Sequence, residues 1–240
     1  MEIAFILLIL LGNSCLDVLI KIVARLQTSS RMQNTITKSK MIVQVLTISG
    51  ASGSGKTTLA EYIHQSNPGS LLLSLDRYYL SKEEQVNKNG FCNFDNPSAI
   101  DTELLIEHLS ELRKIGRTTV PVYDFIISER IGHEEVATSG LIIIEGLFAG
   151  SILPMESNLN IFVESDLDLA VLRRIKRDMN ERGRTLESVT EQYIKFVRPA
   201  YFKHVENIKS NAHHILINNG STDQLIEDGK FIIEELKLNK

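Results

Sequence analysis

The sequence predicts an α/β fold in which helices flank a parallel sheet on both faces. Two observations predict it. From residue 41 onward, apolar β-branched runs alternate with helical patterns, an order that requires crossover connections between parallel strands. Leu141-Ile-Ile-Ile144 is apolar at every position, as in a central strand buried on both faces, where each large aliphatic side chain contributes about 1.5–3 kcal/mol. Composition agrees: 240 residues, 43% hydrophobic and 23% charged, suffice for one sizeable core.

In chain order, Val43 to Ser49 is the first expected strand and Thr57 to His64 the helix after it. An expected strand at Leu71 to Leu75 is followed by an expected helix at Thr102 to Ile115. In Thr118 to Thr138, Val120, Val122, Phe125, Ile126 and Ile127 mix with Pro121 and several charges, which predicts exposed extended segments beside the sheet. Strands at Leu141 to Ile144 and Leu159 to Val163 come next, the second leading into a helix from Leu167 to Asn180. A further helical pattern runs from Ser188 to Lys209. A strand at Ile215 to Ile217 then precedes a terminal helix from Thr222 to Leu236.

Residues 1–40 read as an extension ahead of a domain at 41–240. The apolar run Ile3 to Leu11 is broken by Gly12, Asn13 and Ser14 and followed by Asp17 and Lys21, short of the roughly 18 residues a membrane span needs. Its only preceding charge is Glu2, unlike a secretory signal. Gln27 to Lys40 is polar and lacks periodicity, as in a linker. A natural start at Met41 or Met32 is one expectation and a weak membrane anchor the other.

The formal charge of −4, from 26 Lys+Arg against 30 Asp+Glu, argues against a nucleic-acid binder acting through a basic surface. Cys15 and Cys92 have no CxxC spacing, which excludes an intrachain disulfide framework and a cysteine zinc site and makes the cytoplasm the default location. His213-His214 likewise lacks a metal-binding spacing and reads as structural.

Chemistry enters with Gly50-Ala51-Ser52-Gly53-Ser54-Gly55-Lys56-Thr57, a complete G-x-x-x-x-G-K-[ST] phosphate loop with a strand before it and a helix beginning near Thr58 after it. Its glycines let backbone N–H groups curl toward phosphate oxygens, and the helix N-terminus adds positive potential. Lys56 is placed to bridge the β- and γ-phosphates. Thr57 is placed to ligate Mg2+ arriving with ATP or GTP.

The loop alone does not separate kinases from GTPases and ATPases. Asn87-Lys88-Asn89-Gly90 lacks the aspartate of a guanine-reading N-K-x-D element, and the domain length suits a small-molecule kinase. Asp76 closes the second strand at the edge where such sheets bind ligands, and is a candidate base for an acceptor hydroxyl. Glu145 closes the buried run and is a candidate to orient the water shell of Mg2+. Ser165 and Asp168 give a helix-start signature before an apolar stripe of Leu169, Leu172, Ile175 and Met179. Arg174 and Arg177 share a face of that helix, and with Arg182 and Arg184 around Gly183 they suggest a lid over phosphates. A solvated basic face is the alternative.

The segments GASGSGKT, DRYY, NFDNPSAID, PVYDF, IIIEG, RRIKRDMNERGR and QYIKFVRPAY, in this order, resemble the uridine kinase (uridine/cytidine kinase) family of P-loop kinases across Val43 to Ile217. The resemblance implies a P-loop NTPase fold with a five-stranded parallel sheet, a nucleoside-binding β-hairpin and a helical lid. It implies transfer of phosphate from ATP or GTP to the 5′-hydroxyl of uridine or cytidine, with small molecules as partners, no nucleic acid, and a homotetrameric assembly. Asp76 then corresponds to the catalytic base, and Asp95 and Arg174 to residues that hold the ribose hydroxyls. Tyr79, Tyr123 and Phe125 correspond to positions around the base, and Gln192 to a further nucleoside contact. Arg177, Arg182 and Arg184 correspond to arginines near the donor phosphates.

Three positions depart from the family pattern. Ser128 stands where a histidine that helps read the pyrimidine edge is common, Asn96 replaces a frequent histidine, and Arg77 is larger than the residue often found after the aspartate. Such changes bear on acceptor choice more than on chemistry. His133 reads as a solvated hairpin residue rather than a substitute. A kinase with another acceptor, such as phosphoribulokinase, pantothenate kinase or nicotinamide riboside kinase, and a nucleotide-binding regulator without turnover are the alternatives that the sequence leaves open.

Overall fold

The computed structural model describes residues 43–238. The expectations for residues 1–40 lie outside the described residues. The chain forms strand β1 (Gln44–Gly50), helix α1 (Lys56–Ser66), β2 (Leu71–Ser74), α2 (Lys82–Asn89), α3 (Thr102–Ile115), the strands β3 (Arg117–Asp124) and β4 (Glu129–Ala137), and β5 (Leu141–Glu145). There follow β6 (Leu159–Glu164), α4 (Leu167–Glu181), α5 (Leu186–Gln192), β7 (His214–Ile217) and α6 (Thr222–Leu238).

Five strands make one sheet in the order β2-β5-β1-β6-β7, every neighbouring pair parallel. The pleat sends successive side chains into two different cores. Ile142 and Ile144 of β5 pack with Val45, Phe162, Leu105 and Leu109, whereas Leu141 and Ile143 pack with Ile48, Leu59, Ile63 and Ile232. This double burial explains the unbroken apolar run at β5. Strand β1 lies between β5 and β6, so the connections on its two sides diverge and leave a crevice at the carboxyl ends. The phosphate loop, Asp76 and Glu145 all emerge there, from the ends of β1, β2 and β5.

The segment expected to be extended beside the sheet is an antiparallel hairpin, β3–β4, with a register shift between Val122 and Tyr123. Two arginines pin it. Arg130 donates to Asp101 Oδ2 at 3.2 Å and to the Tyr78 carbonyl at 3.1 Å, and Arg77 donates to Glu134 Oε2 at 2.8 Å and to the Pro121 carbonyl at 3.3 Å. Arg77 therefore points at the hairpin. Its size does not crowd the crevice.

One helix was not foreseen and two local expectations are corrected. Helix α2, which has little apolar periodicity, is nucleated by a reciprocal cap: Ser81 Oγ accepts from Glu84 N–H and Glu84 Oε2 accepts from Ser81 N–H. Ser165 does not cap α4; Asp166 occupies that position without a side-chain bond, while Ser165 Oγ donates to the Asn218 carbonyl at 2.7 Å. The single helical pattern from Ser188 to Lys209 is divided into α5, two wide π-type turns (Tyr193–Val197 and Tyr201–Val205) around Arg198–Ala200, and a tight 3₁₀ stretch (Glu206–Asn211). Pro199, which brings no N–H, sits between the wide turns and accounts for the break in the regular ladder.

The apolar stripe of α4 is not the face the helix buries. Leu172 and Met179 are 62% and 45% exposed, and the buried positions are Ala170, Arg174 and Asp178. The physical reason is the neighbour: that face closes the crevice, whose other walls carry carboxylates and the phosphate loop.

Candidate active site

The site is one cavity of about 740 Å3 whose lining includes Lys56, Thr57, Asp76, Tyr79, Asp95 and Glu145. Tyr123, Phe125 and Ser128 of the hairpin and Arg174, Arg177, Arg182, Arg184 and Gln192 of the helical arm line it too. Of the phosphate loop, Ser52, Lys56 and Thr57 reach this cavity, whereas Gly53, Gly55 and Thr58 line a second cleft that also touches Lys56 and Thr57. Gly50 joins the loop to β1, Ala51 is buried, and Ser54 is fully buried beneath the loop.

The loop is curled as its sequence requires. Gly53 has φ +87°, and a Cβ there would lie 2.2 Å from the Ala170 carbonyl oxygen, so only glycine allows the loop to abut helix α4. Lys56 Nζ donates to the Ala51 carbonyl at 2.8 Å across the loop. Burial lowers the Lys56 ammonium pKa, opposed by the carboxylates of Glu145 and Asp76.

Asp76 sits on a 3₁₀ turn (Leu75–Tyr78) at the end of β2, where Ser74 Oγ accepts from its N–H at 3.4 Å. Its pKa is pushed up to about 6, chiefly by burial and then by the Glu145 carboxylate, against the pull of Lys56. Thr57 Oγ1 donates to Glu145 Oε2 at 3.4 Å. This pairing of a hydroxyl with a carboxylate, beside the second carboxylate of Asp76, is an all-oxygen donor set suited to a hard cation such as Mg2+.

The opposite wall is aromatic. Tyr79 packs edge-on to Phe94 (centroids 5.3 Å apart) and tilted to Tyr123 (5.8 Å), and Tyr123 packs edge-on to Phe125 (5.4 Å). Phe94 was not singled out in the sequence, although it adjoins Asp95. Ser128 has φ +61° at the hairpin tip, and its side chain hydrogen-bonds Tyr123. Burial raises the Tyr123 phenol to about 12. Asn96 lies elsewhere: its Oδ1 accepts from Ser98 N–H and caps a turn. His133 is exposed on β4, outside the cavity lining. His213 Nδ1 accepts from Asn160 N–H, the structural role expected of it.

Asp95 is buried, and Gln192 hydrogen-bonds it. Burial raises its pKa, opposed by Arg174 and Arg184. Gln192 Oε1 accepts from Arg174 Nη2 at 3.1 Å and from Arg184 Nη1, so one amide joins the carboxylate to two guanidinium groups. Arg177 reaches Ser52 Oγ of the phosphate loop at 3.4 Å, and Arg182 lies over the Phe125 ring at 4.6 Å, bridging the arm to the hairpin. The arginine-rich helix is thus turned inward and is not a solvated face. Positive φ at Gly183 (+61°) lets the chain double back between Arg182 and Arg184.

Sequence reasoning missed Asp178, Arg173 and Asn218. Asp178 is fully buried and lies within 4.0 Å of the guanidinium groups of Arg174, Arg177, Arg182 and Arg184. Its spacing four residues after Arg174 was the available signal. Asn218, 164 positions from Ser54, donates to its carbonyl at 2.7 Å; no local signal could reveal that.

Residues 45–225 match the model of the Phosphoribulokinase / Uridine kinase family. A uridine kinase of Borrelia garinii subsp. bavariensis is 36% identical over 188 residues, covering 77% of this chain and 91% of that protein. A uridine kinase of Histophilus somni is 34% identical over 212 residues, covering 82% and 97%. Among solved structures, phosphoribulokinase from Rhodobacter spheroides superposes with a TM-score of 0.52 at 17% identity, over 78% of this chain and 75% of that one, a likeness of fold.

Proposed function

The chain belongs to the phosphoribulokinase/uridine kinase family, and on that premise we propose that it is a kinase transferring phosphate from ATP or GTP to the 5′-hydroxyl of uridine or cytidine. The observation that carries the reading is the single cavity in which Lys56 of the phosphate loop, Asp76, and the Tyr79–Tyr123 and Asp95–Gln192 walls face one another. It has room for a nucleoside beside a triphosphate tail.

Asp76 accepts the proton of the acceptor hydroxyl. A carboxylic acid with a pKa near 6 is well matched to that step, because a base works best when its pKa approaches the working pH. Lys56, Arg177, Arg182 and Arg184 face the negative charge on the transferred phosphoryl group. Asp95 and Arg174, joined through Gln192, present an acceptor and donors to a ribose diol, and the aromatic wall receives the base. Thr57 would hold Mg2+ directly and Glu145 through water, and the ion supplies neutralisation of the β- and γ-phosphate charge. Ser128 keeps Tyr123 oriented and leaves the hairpin side of the base pocket open.

Among the described residues no helix is long and apolar enough to cross a membrane. We place the enzyme in the cytoplasm as a homotetramer; the exposed Leu172 and Met179 on α4 support a subunit contact, and light scattering tests it.

A coupled assay of ADP release tests the activity, with Mg-ATP against uridine, cytidine, their deoxy forms and nicotinamide riboside, and Asp76→Asn as control. Turnover with uridine or cytidine that vanishes in the control is expected. ATP binding without turnover on any of these acceptors would overturn the acceptor assignment.

A further inference from the structure

We propose that Arg173 is a positioning residue for the phosphate donor, tying helix α4 to the segment 218–220 and so fixing the wall of the cleft that receives the donor's sugar and base. This rests on the kinase reading above. The cleft, about 390 Å3, lies on the far side of the phosphate loop from Asp76 and is lined by Gly53, Gly55, Thr58, Arg173, Gly220 and Thr222, among others. Lys56, Thr57 and Arg177 line both this cleft and the acceptor cavity, so a triphosphate lying along the loop leaves its nucleoside half here.

The wall is the connection between β7 and α6, which has no regular structure of its own. Polar contacts hold it. Asn218 Nδ2 donates to the Ser54 carbonyl at 2.7 Å, and Asn218 N–H donates to the Glu164 carbonyl at 2.7 Å. Arg173 completes the clamp: Nη1 donates to the Asn218 carbonyl at 2.9 Å and to Ser165 Oγ at 3.1 Å, and Nη2 donates to the Gly220 carbonyl at 3.2 Å.

Two properties make this more than packing. Among the described residues, no carboxylate forms an ion pair with Arg173, and the partners that its charged donors hold are neutral oxygens of the cleft wall. A planar fork also fixes two carbonyls at once, which a lysine ammonium cannot do with the same geometry. The next residue, Arg174, turns instead to Gln192 and the acceptor wall. Adjacent arginines on one helix thus serve opposite substrates, and a change at Arg173 is expected to reach the donor alone.

Calorimetric titration of wild type, Arg173→Met and Arg173→Lys with the β,γ-imido analogue of ATP in Mg2+, and separately with uridine, tests this. Arg173→Met is expected to weaken the analogue by roughly tenfold or more and Arg173→Lys by a smaller factor, with uridine affinity within about twofold of wild type in both. Steady-state KM for ATP should rise in the same order. Analogue affinity within twofold of wild type in Arg173→Met would overturn the proposal, as would parallel loss of both substrates, which marks a general structural role. If Arg173→Met does not fold, the lysine variant decides by the same comparison. Wild-type protein that binds the analogue but not uridine overturns the acceptor assignment while the analogue titrations still judge Arg173. Failure of wild type to bind the analogue overturns both.

Discussion

Asp178 accepts two hydrogen bonds on one carboxylate oxygen from its own neighbour, Arg177, from Nη2 at 2.8 Å and Nε at 3.0 Å. The other oxygen has no hydrogen bond, although Arg174 Nε lies 3.6 Å and Arg184 Nη1 3.9 Å away. One buried anion therefore faces four cations. Arg177 carries part of that positive charge to Ser52 of the phosphate loop, and the carboxylate keeps the arginines from repelling one another before any substrate arrives.

Asp178→Asn should therefore lower kcat by roughly tenfold or more and destabilise the fold, because removing one partner of a buried charge pair leaves the others uncompensated, at a cost of about 3–5 kcal/mol in comparable cases. Steady-state kinetics and urea unfolding check this. Wild-type kcat with a lowered midpoint would reduce Asp178 to a purely structural role.

Asp76 links pH to stability in a direction fixed by its environment. Its folded pKa of about 6 lies above the ordinary 3.8, so the folded state holds the proton more tightly. Its burial then costs nothing below pH 3.8, costs progressively more as pH rises toward 6, and costs a constant amount above that. In EDTA and without nucleotide, Asp76→Asn should raise the melting temperature by a few degrees at pH 8 and hardly at all at pH 4. Activity of the same variant should fall by roughly 10²–10⁴-fold. Equal melting temperatures at pH 8 would contradict the buried-acid account.

Asp95→Ala should raise KM for the nucleoside while leaving KM for ATP unchanged, and should narrow any preference for ribo- over deoxyribonucleosides. The reason is local: Asp95 and Arg174 meet through Gln192, away from the donor cleft. Equal changes in both KM values would place Asp95 in the scaffold.

Ser128→Gly separates backbone strain from function at the hairpin tip. A serine at φ +61° costs about 1 kcal/mol relative to glycine, so the variant should be no less stable than wild type. It also loses the hydroxyl that hydrogen-bonds Tyr123, so KM for the nucleoside should rise. Thermal unfolding and kinetics on one preparation give both answers.

Gly53→Ala should abolish nucleotide binding, since its Cβ would meet the Ala170 carbonyl oxygen at 2.2 Å. Retained affinity for Mg-ATP would show that the loop and α4 separate readily.

Local signals fixed much of this molecule in the sequence. Alternating periodicities named five sheet strands, because a strand buried on both faces and an amphipathic helix leave different spacing of apolar residues. The phosphate loop was legible since its glycines, lysine and threonine act together over eight consecutive residues. Asp76 and Glu145 were legible since they end apolar runs.

Tertiary structure decided what depends on partners distant in the chain. Helix α4 carries an apolar stripe, yet Arg174 and Asp178 are the residues inside, because Asp178 and the arginines around it offset one another's desolvation. Asn96 and Asp95 are adjacent in sequence, but only Asp95 lines the cavity of about 740 Å3, since the Asn96 side chain is spent on capping a turn. Arg173 and Arg174 read alike, yet one holds the Asn218 and Gly220 carbonyls and the other the Gln192 amide. Periodicity and motif report what one segment tends to do by itself; which atoms a buried charge meets is set by how segments pack and turn back on one another, and that packing exists only in the folded chain.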